Sequence, residues 1–182
     1  MIDPAILLTL QVPFPPEQPT LVEERVLQST VGAQAERIGR RLADSFDASA
    51  DAWIGAMERA RLSAEHAKVS SVAAEEDIQT LDSLIADFEA MADIRAKRGA
   101  RAQRQITRDV KATFKVDPSL AAARRAFGAR ITATEKRVIE ALLEYALFLR
   151  AVRAEINPAS RGGQTFETMD DLERALASLG AA

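Results

Sequence analysis

Six basic residues, Lys97, Arg101, Arg104, Arg108, Lys111 and Lys115, recur at alternating spacings of four and three. That rhythm aligns side chains along one face of an α-helix. A row of solvent-facing ammonium and guanidinium groups can follow a phosphate backbone, releasing condensed counterions so that affinity falls steeply with salt. It can equally dock an acidic protein face or anionic lipid headgroups. Arg124 and Arg125 add two cations from the segment that follows. These eight residues are the candidate anion- or partner-binding site. No aromatic residue takes a position on the row itself, so contact with nucleic acid would be shape-based, without base stacking. The plain alternative is a solvated helix face, partly neutralised by acidic residues of a neighbour.

The row belongs to a wider segregation of charge. Between residues 75 and 93 stand seven acidic residues (Glu75, Glu76, Asp77, Asp82, Asp87, Glu89, Asp93) and no basic one. From Arg95 to Arg137 thirteen basic residues face only Asp109, Asp117 and Glu135, a net of +10 in a chain whose total is -3. The molecule is therefore expected to be strongly dipolar, with a basic end formed by residues 95–137.

Catalytic chemistry has little to work with. The chain has no Cys, a lone His66 beside Glu65, and no Gly-rich phosphate loop of the Walker or dinucleotide type. A carboxylate-bridged metal pair in a helical bundle needs Glu-x-x-His on two helices, and that spacing is absent. Neither a catalytic residue, a metal site nor a cofactor is expected, and His66 reads as a solvated helix residue.

These groups need elements to position them. A chain of 182 residues, 47% hydrophobic and 28% charged, has the balance of a globular protein. Five of the seven prolines (Pro4, Pro13, Pro15, Pro16, Pro19) fall in the first nineteen residues, which predicts an extended arm over 1–19. Thr20 and Glu23 form a capping box that opens a helix. Its seam runs Val31, Ala35, Ile38, Leu42, Phe46, Ser49, Trp53, Ala56, Ala60, Ala64. A second seam runs Ala74, Ile78, Leu81, Ile85, Phe88, Ala92, Arg95, Gly99, Ala102, Ile106, Val110, and it weakens where Arg95 and Gly99 occupy it. A reversal is placed near Val69, Ser70 and Ser71, whose side chains compete with the helical backbone.

Asp117-Pro118 marks the next start, an N-cap followed by proline at the first helical position. The third seam, Leu120, Ala123, Phe127, Ile131, Thr134, Val138, Leu142, Tyr145, Leu149, Val152, Ile156, stops at Asn157-Pro158. Thr168 to Asp171 cap a short last helix carrying Leu172, Leu176 and Leu179. The expected fold is all-α: an elongated antiparallel, coiled-coil-like bundle of three long helices over about 20–68, 71–115 and 118–156. The Pro-rich arm precedes it, and a loop and short C-terminal helix follow over 158–182.

Trp53-Ile54-Gly55 is similar to the Trp-x-Gly turn of a family of small secreted helical-hairpin proteins. The resemblance covers this tripeptide alone and implies a substrate or partner of a specialised export machine. Otherwise the apolar run within residues 1–12 carries Asp3 in place of a basic leader region, and no stretch is apolar enough to cross a bilayer, so the expected compartment is the cytoplasm.

The functional expectation is a non-enzymatic helical-bundle interaction protein, a structural or adaptor component that binds a protein partner or its own copy through long helix faces. The alternative is a nucleic-acid-associated protein using the basic end. A third reading, peripheral attachment to anionic lipid, shares the basic row but lacks the bulky apolar face that interfacial helices use.

Overall fold

The computed structural model describes residues 12–19, 32–66, 72–73, 75–155 and 157–158. The described chain is all-α, built on helices α1 (Gly32–His66), α2 (Glu75–Phe114) and α3 (Pro118–Glu155). They contain 35, 40 and 38 residues, hence about 53, 60 and 57 Å of helix. The Thr20 capping box, the reversal residues 69–71 and the short C-terminal helix with Leu172, Leu176 and Leu179 lie outside the described residues. Beyond the helices, Val72–Ala73 pairs in parallel with Asn157–Pro158. The tripeptide Trp53-Ile54-Gly55 lies in the interior of α1, where the chain makes no turn.

The bend between α2 and α3 follows from a few local bonds. The N–H groups of Val116 and Asp117 both donate to the Thr113 carbonyl, at 2.9 and 2.8 Å, which closes the end of α2. Asp117 Oδ1 then accepts from the backbone N–H of Ser119 and Leu120, each at 3.0 Å, and from the Ser119 hydroxyl at 2.7 Å. This caps α3, whose first residue, Pro118, has no donor to satisfy. The Ser119 hydroxyl, with the two backbone donors, holds the Asp117 carboxyl below its ordinary pKa.

α3 packs against both other helices. It runs alongside α1 in the same direction: a Cβ at Gly32 would meet Ser119, one at Gly39 would meet Phe127, and Arg137 reaches Asp51 further on. It runs opposite to α2, since Arg124 touches Asp109 and Thr113 near the bend while Arg150 and Arg153 reach Glu89 and Asp82 at the far end. The acidic half of α2 thus serves in part to pair the last basic residues of α3.

The apolar positions divide into three clusters. Trp53 and Met57 from α1, Leu81 and Phe88 from α2, and Leu142 and Leu149 from α3 share one core at the far end. Each such side chain removed from water contributes about 1.5–3 kcal/mol. Towards the bend the core splits. Ala35, Ala43 and Phe46 meet Leu120, Phe127 and Ile131 between α1 and α3, whereas only Ile106, Val110 and Ala121 join α2 to α3. Ser49, expected in the α1 seam, is exposed and donates to the Ser45 carbonyl at 2.9 Å. Its neighbour Ala50 takes the buried place, because in an alanine-rich stretch two adjacent small residues fit the same helical period equally well.

Residues 12–19 have no regular secondary structure and lie across the helices. The Pro13 carbonyl accepts from the Trp53 indole N–H at 2.7 Å, and the Pro16 carbonyl accepts from Arg95 at 3.0 Å. Val12 packs on the shared core. No described helix is long and apolar enough to cross a membrane.

Candidate anion-binding face

The narrow seam between α2 and α3 near the bend decides what α2 presents there. Ile106 and Val110 point into α3, and Gly128 lets the helices approach so closely that a Cβ there would stand 2.7 Å from Ile106 Cγ2. Roughly 200° around the helix from such seam positions lies the basic row. Lys97, Arg101, Arg104, Arg108, Lys111 and Lys115 are all exposed. From Arg101 to Lys111 the row extends for about 15 Å along the helix axis, and Lys115 follows one residue past the helix end.

Ion pairing separates the basic residues of this end into two groups. Arg130 reaches Asp44 at 2.7 Å and also Asp47, Arg137 reaches Asp51, Lys136 pairs with Glu140 at 3.4 Å, and Lys97 pairs with Asp93. Asp44 and then Asp47 raise the Arg130 pKa by bonding its charged form. Arg95 is drawn inward to Glu135 at 2.7 Å. Among the described residues, no carboxylate forms an ion pair with Arg98, Arg101, Arg104, Arg108, Lys111, Lys115 or Arg125.

The eight residues singled out by sequence therefore do not form one uniform site. Arg101, Arg104, Arg108 and Lys111 stay together on the outer face of α2, and Lys115 follows, exposed, just past its end. Lys97 is at the edge of the row, tied to Asp93. Arg124 turns into the α2–α3 contact, where it donates to Thr113 Oγ1 and, at 3.5 Å, to the Asp109 carbonyl. Its place explains this: it lies at the end of α3's second turn, opposite the last two turns of α2. Arg125 is exposed on α3.

Two features of this end escaped the spacing argument. Gln105 joins Arg101, Arg104 and Arg108 around an open depression on α2. Its amide donates to Asp109 Oδ1 at 3.1 Å, which occupies one of the few carboxylates nearby. The Arg104 Nε–H donates to the Ala100 carbonyl at 3.1 Å, laying that guanidinium back along the helix. The signal for Gln105 was only its position one residue beyond Arg104. The second feature is apolar: Phe114 and Val116 at the bend are 56% and 86% exposed, so the end does carry bulky apolar side chains, on either side of Lys115 in the chain.

Among the described residues no group of three or more His, Asp or Glu side chains is placed to hold a metal ion. In comparisons with known proteins, no family model, curated protein or solved structure matches the chain significantly.

Proposed function

We propose that this protein is a non-enzymatic helical-bundle interaction protein, a structural or adaptor component that docks an anionic partner along the outer face of α2. In this reading the three helices are an elongated antiparallel bundle, strapped by its Pro-rich arm, that works in the cytoplasm and holds its binding face rigid. One observation carries the reading. The bundle satisfies Arg95, Arg130 and Arg137 with carboxylates from neighbouring helices, yet among the described residues no carboxylate pairs with the exposed Arg101, Arg104, Arg108, Lys111 or Lys115. Like charges aligned along a helix repel and destabilise it by a few tenths of a kcal/mol per pair. A partner that supplies the missing negative charge offsets that cost.

The test is retention on immobilised heparin. The expected result is retention of the full chain at low salt and elution at lower salt for Arg104→Glu/Arg108→Glu. Passage of the wild-type protein straight through at low salt would remove the reading.

A second reading rests on Leu143 and Leu147, which are exposed one turn apart on α3, a stretch that also carries the exposed Glu140 and Glu144. This face suits self-association, in which each copy covers the other's leucines. Sedimentation velocity is expected to show a dimer that Leu143→Glu/Leu147→Glu converts to monomer. A wild-type monomer at high concentration would discard it.

A further inference from the structure

We infer that the basic row from Arg101 on α2 to Lys115 just past its end binds the sugar-phosphate backbone of double-stranded nucleic acid, an assignment that rests on the anionic-partner reading above and names its partner. The row's shape is the first reason. Arg101, Arg104, Arg108 and Lys111 stand in single file over about 15 Å of helix and Lys115 follows just past its end, the arrangement that a regular line of phosphates neutralises one by one. The depression lined by Arg101, Arg104, Gln105 and Arg108 gathers three guanidinium groups and an amide, where a phosphate can accept several hydrogen bonds at once.

The residues beside the row are the second reason. Ala100, Gln103, Thr107 and Ala112 are small or polar and exposed, so the face has no apolar centre of the kind a protein interface buries. Its exposed aromatic, Phe114, stands at the bend end of the row, and Arg101, Arg104 and Arg108 have no ring beside them on which successive bases of a single strand could stack. A duplex needs neither, because its phosphates are already held on the outside in a fixed lattice.

The exposed pair Phe114 and Val116 sets the limit of the third alternative, an anionic lipid surface. They project at the bend, so insertion there sets the helix end-on to the membrane. Arg101 would then stand about 20 Å from the headgroups, beyond the roughly 8 Å over which physiological salt screens charge. Only Lys111 and Lys115 would contribute, and the remainder of the row would have no use.

The experiment is fluorescence anisotropy of a fluorescein-labelled DNA duplex titrated with the full chain at several salt concentrations. Five neutralised phosphates give a slope of log affinity on log salt of about -4.5, a loss of about 500-fold between about 50 and 200 mM salt. Arg104→Gln/Arg108→Gln and Arg104→Glu/Arg108→Glu are expected to lower the slope to about -2.7. Arg40→Glu/Arg59→Glu, which changes the net charge on α1, is expected to leave it unchanged, and far-UV circular dichroism checks that every variant is folded. Phosphatidylcholine–phosphatidylserine vesicles and polyglutamate are tested in parallel, the former also with Phe114→Ser/Val116→Ser.

Duplex binding with that slope, reduced to about -2.7 in the row variants and unchanged in Phe114→Ser/Val116→Ser, is the expected result. Binding to vesicles or polyglutamate without duplex binding overturns the inference. Retention on heparin without duplex binding overturns it too, while the anionic-partner reading stands. Loss of both removes the two together.

Discussion

Arg95 and Glu135 form an ion pair of 2.7 Å between α2 and α3, with side chains only 13% and 4% exposed. The arm completes it, since the Pro16 carbonyl accepts from the same guanidinium nitrogen at 3.0 Å, while Arg95 Nε is buried without a hydrogen-bond partner. Gly99 lies beside the pair, where a Cβ would meet Glu135 Cγ in ordinary contact at 3.9 Å. Charge buried this way is costly to leave alone. Glu135→Ala is expected to destabilise the fold by about 3–5 kcal/mol, whereas the joint change Arg95→Met/Glu135→Leu recovers most of that loss. Urea denaturation of the two variants checks this, and equal destabilisation by both would show that the pair itself stabilises the fold.

Gly128 is a second point of close approach. Alanine is the better helix former by up to about 1 kcal/mol, but its Cβ would sit 2.7 and 3.1 Å from two carbons of Ile106. Overpacking costs about 1–3 kcal/mol. Gly128→Ala is therefore expected to lower the melting temperature, despite the gain in helix propensity. A rise would mean that α2 moves aside freely at this seam.

Trp53 reports on the arm. It is the only tryptophan of the chain, it is 5% exposed, and its indole donates to the Pro13 carbonyl. Deleting residues 1–19 is expected to shift its emission to longer wavelength and to admit acrylamide as a quencher. Unchanged emission would show that the helices alone bury the ring.

Tyr145, the single tyrosine, packs between Phe88 and Phe148 with ring centroids 5.0 and 5.8 Å away. Burial pushes its pKa up to about 12 from 10.0. The folded state favours the neutral phenol, so this contribution is complete below the unfolded value and is lost as pH rises through the folded one. Absorbance of the phenolate is expected to appear near pH 12, with unfolding by urea becoming easier from about pH 10 upward. Ionisation near pH 10 in the folded protein would place the ring in water.

Much of the helical seam was legible because it rests on large side chains at fixed spacing. Ile78, Leu81, Ile85 and Phe88 in α2, and Phe127, Ile131, Val138, Leu142 and Leu149 in α3, are all buried as their period demands. The pattern was less decisive in α1, where Ser49 and Ala50 compete for one seam position. Arg95 in a seam was visible as an anomaly, but its partner was not. A one-dimensional pattern marks which face turns inward, not which residue across the interface meets it, and Glu135 sits beside Thr134 with nothing to distinguish it. The basic row was readable for the same reason as the seam. Arg124 was misleading because its neighbour Arg125 has the same charge, and only the packing of α3 on α2 separates the inward residue from the outward one.

The central claim is that the unpaired cations of α2 are a binding face. Its most direct measurement is the map of backbone amide shifts in the folded, full-length protein as a heparin oligosaccharide is added at low salt. Shifts concentrated on residues 101–115, and reversed by added salt, are the expected result. Shifts centred on Leu143 and Leu147, or no shifts at all, would contradict it.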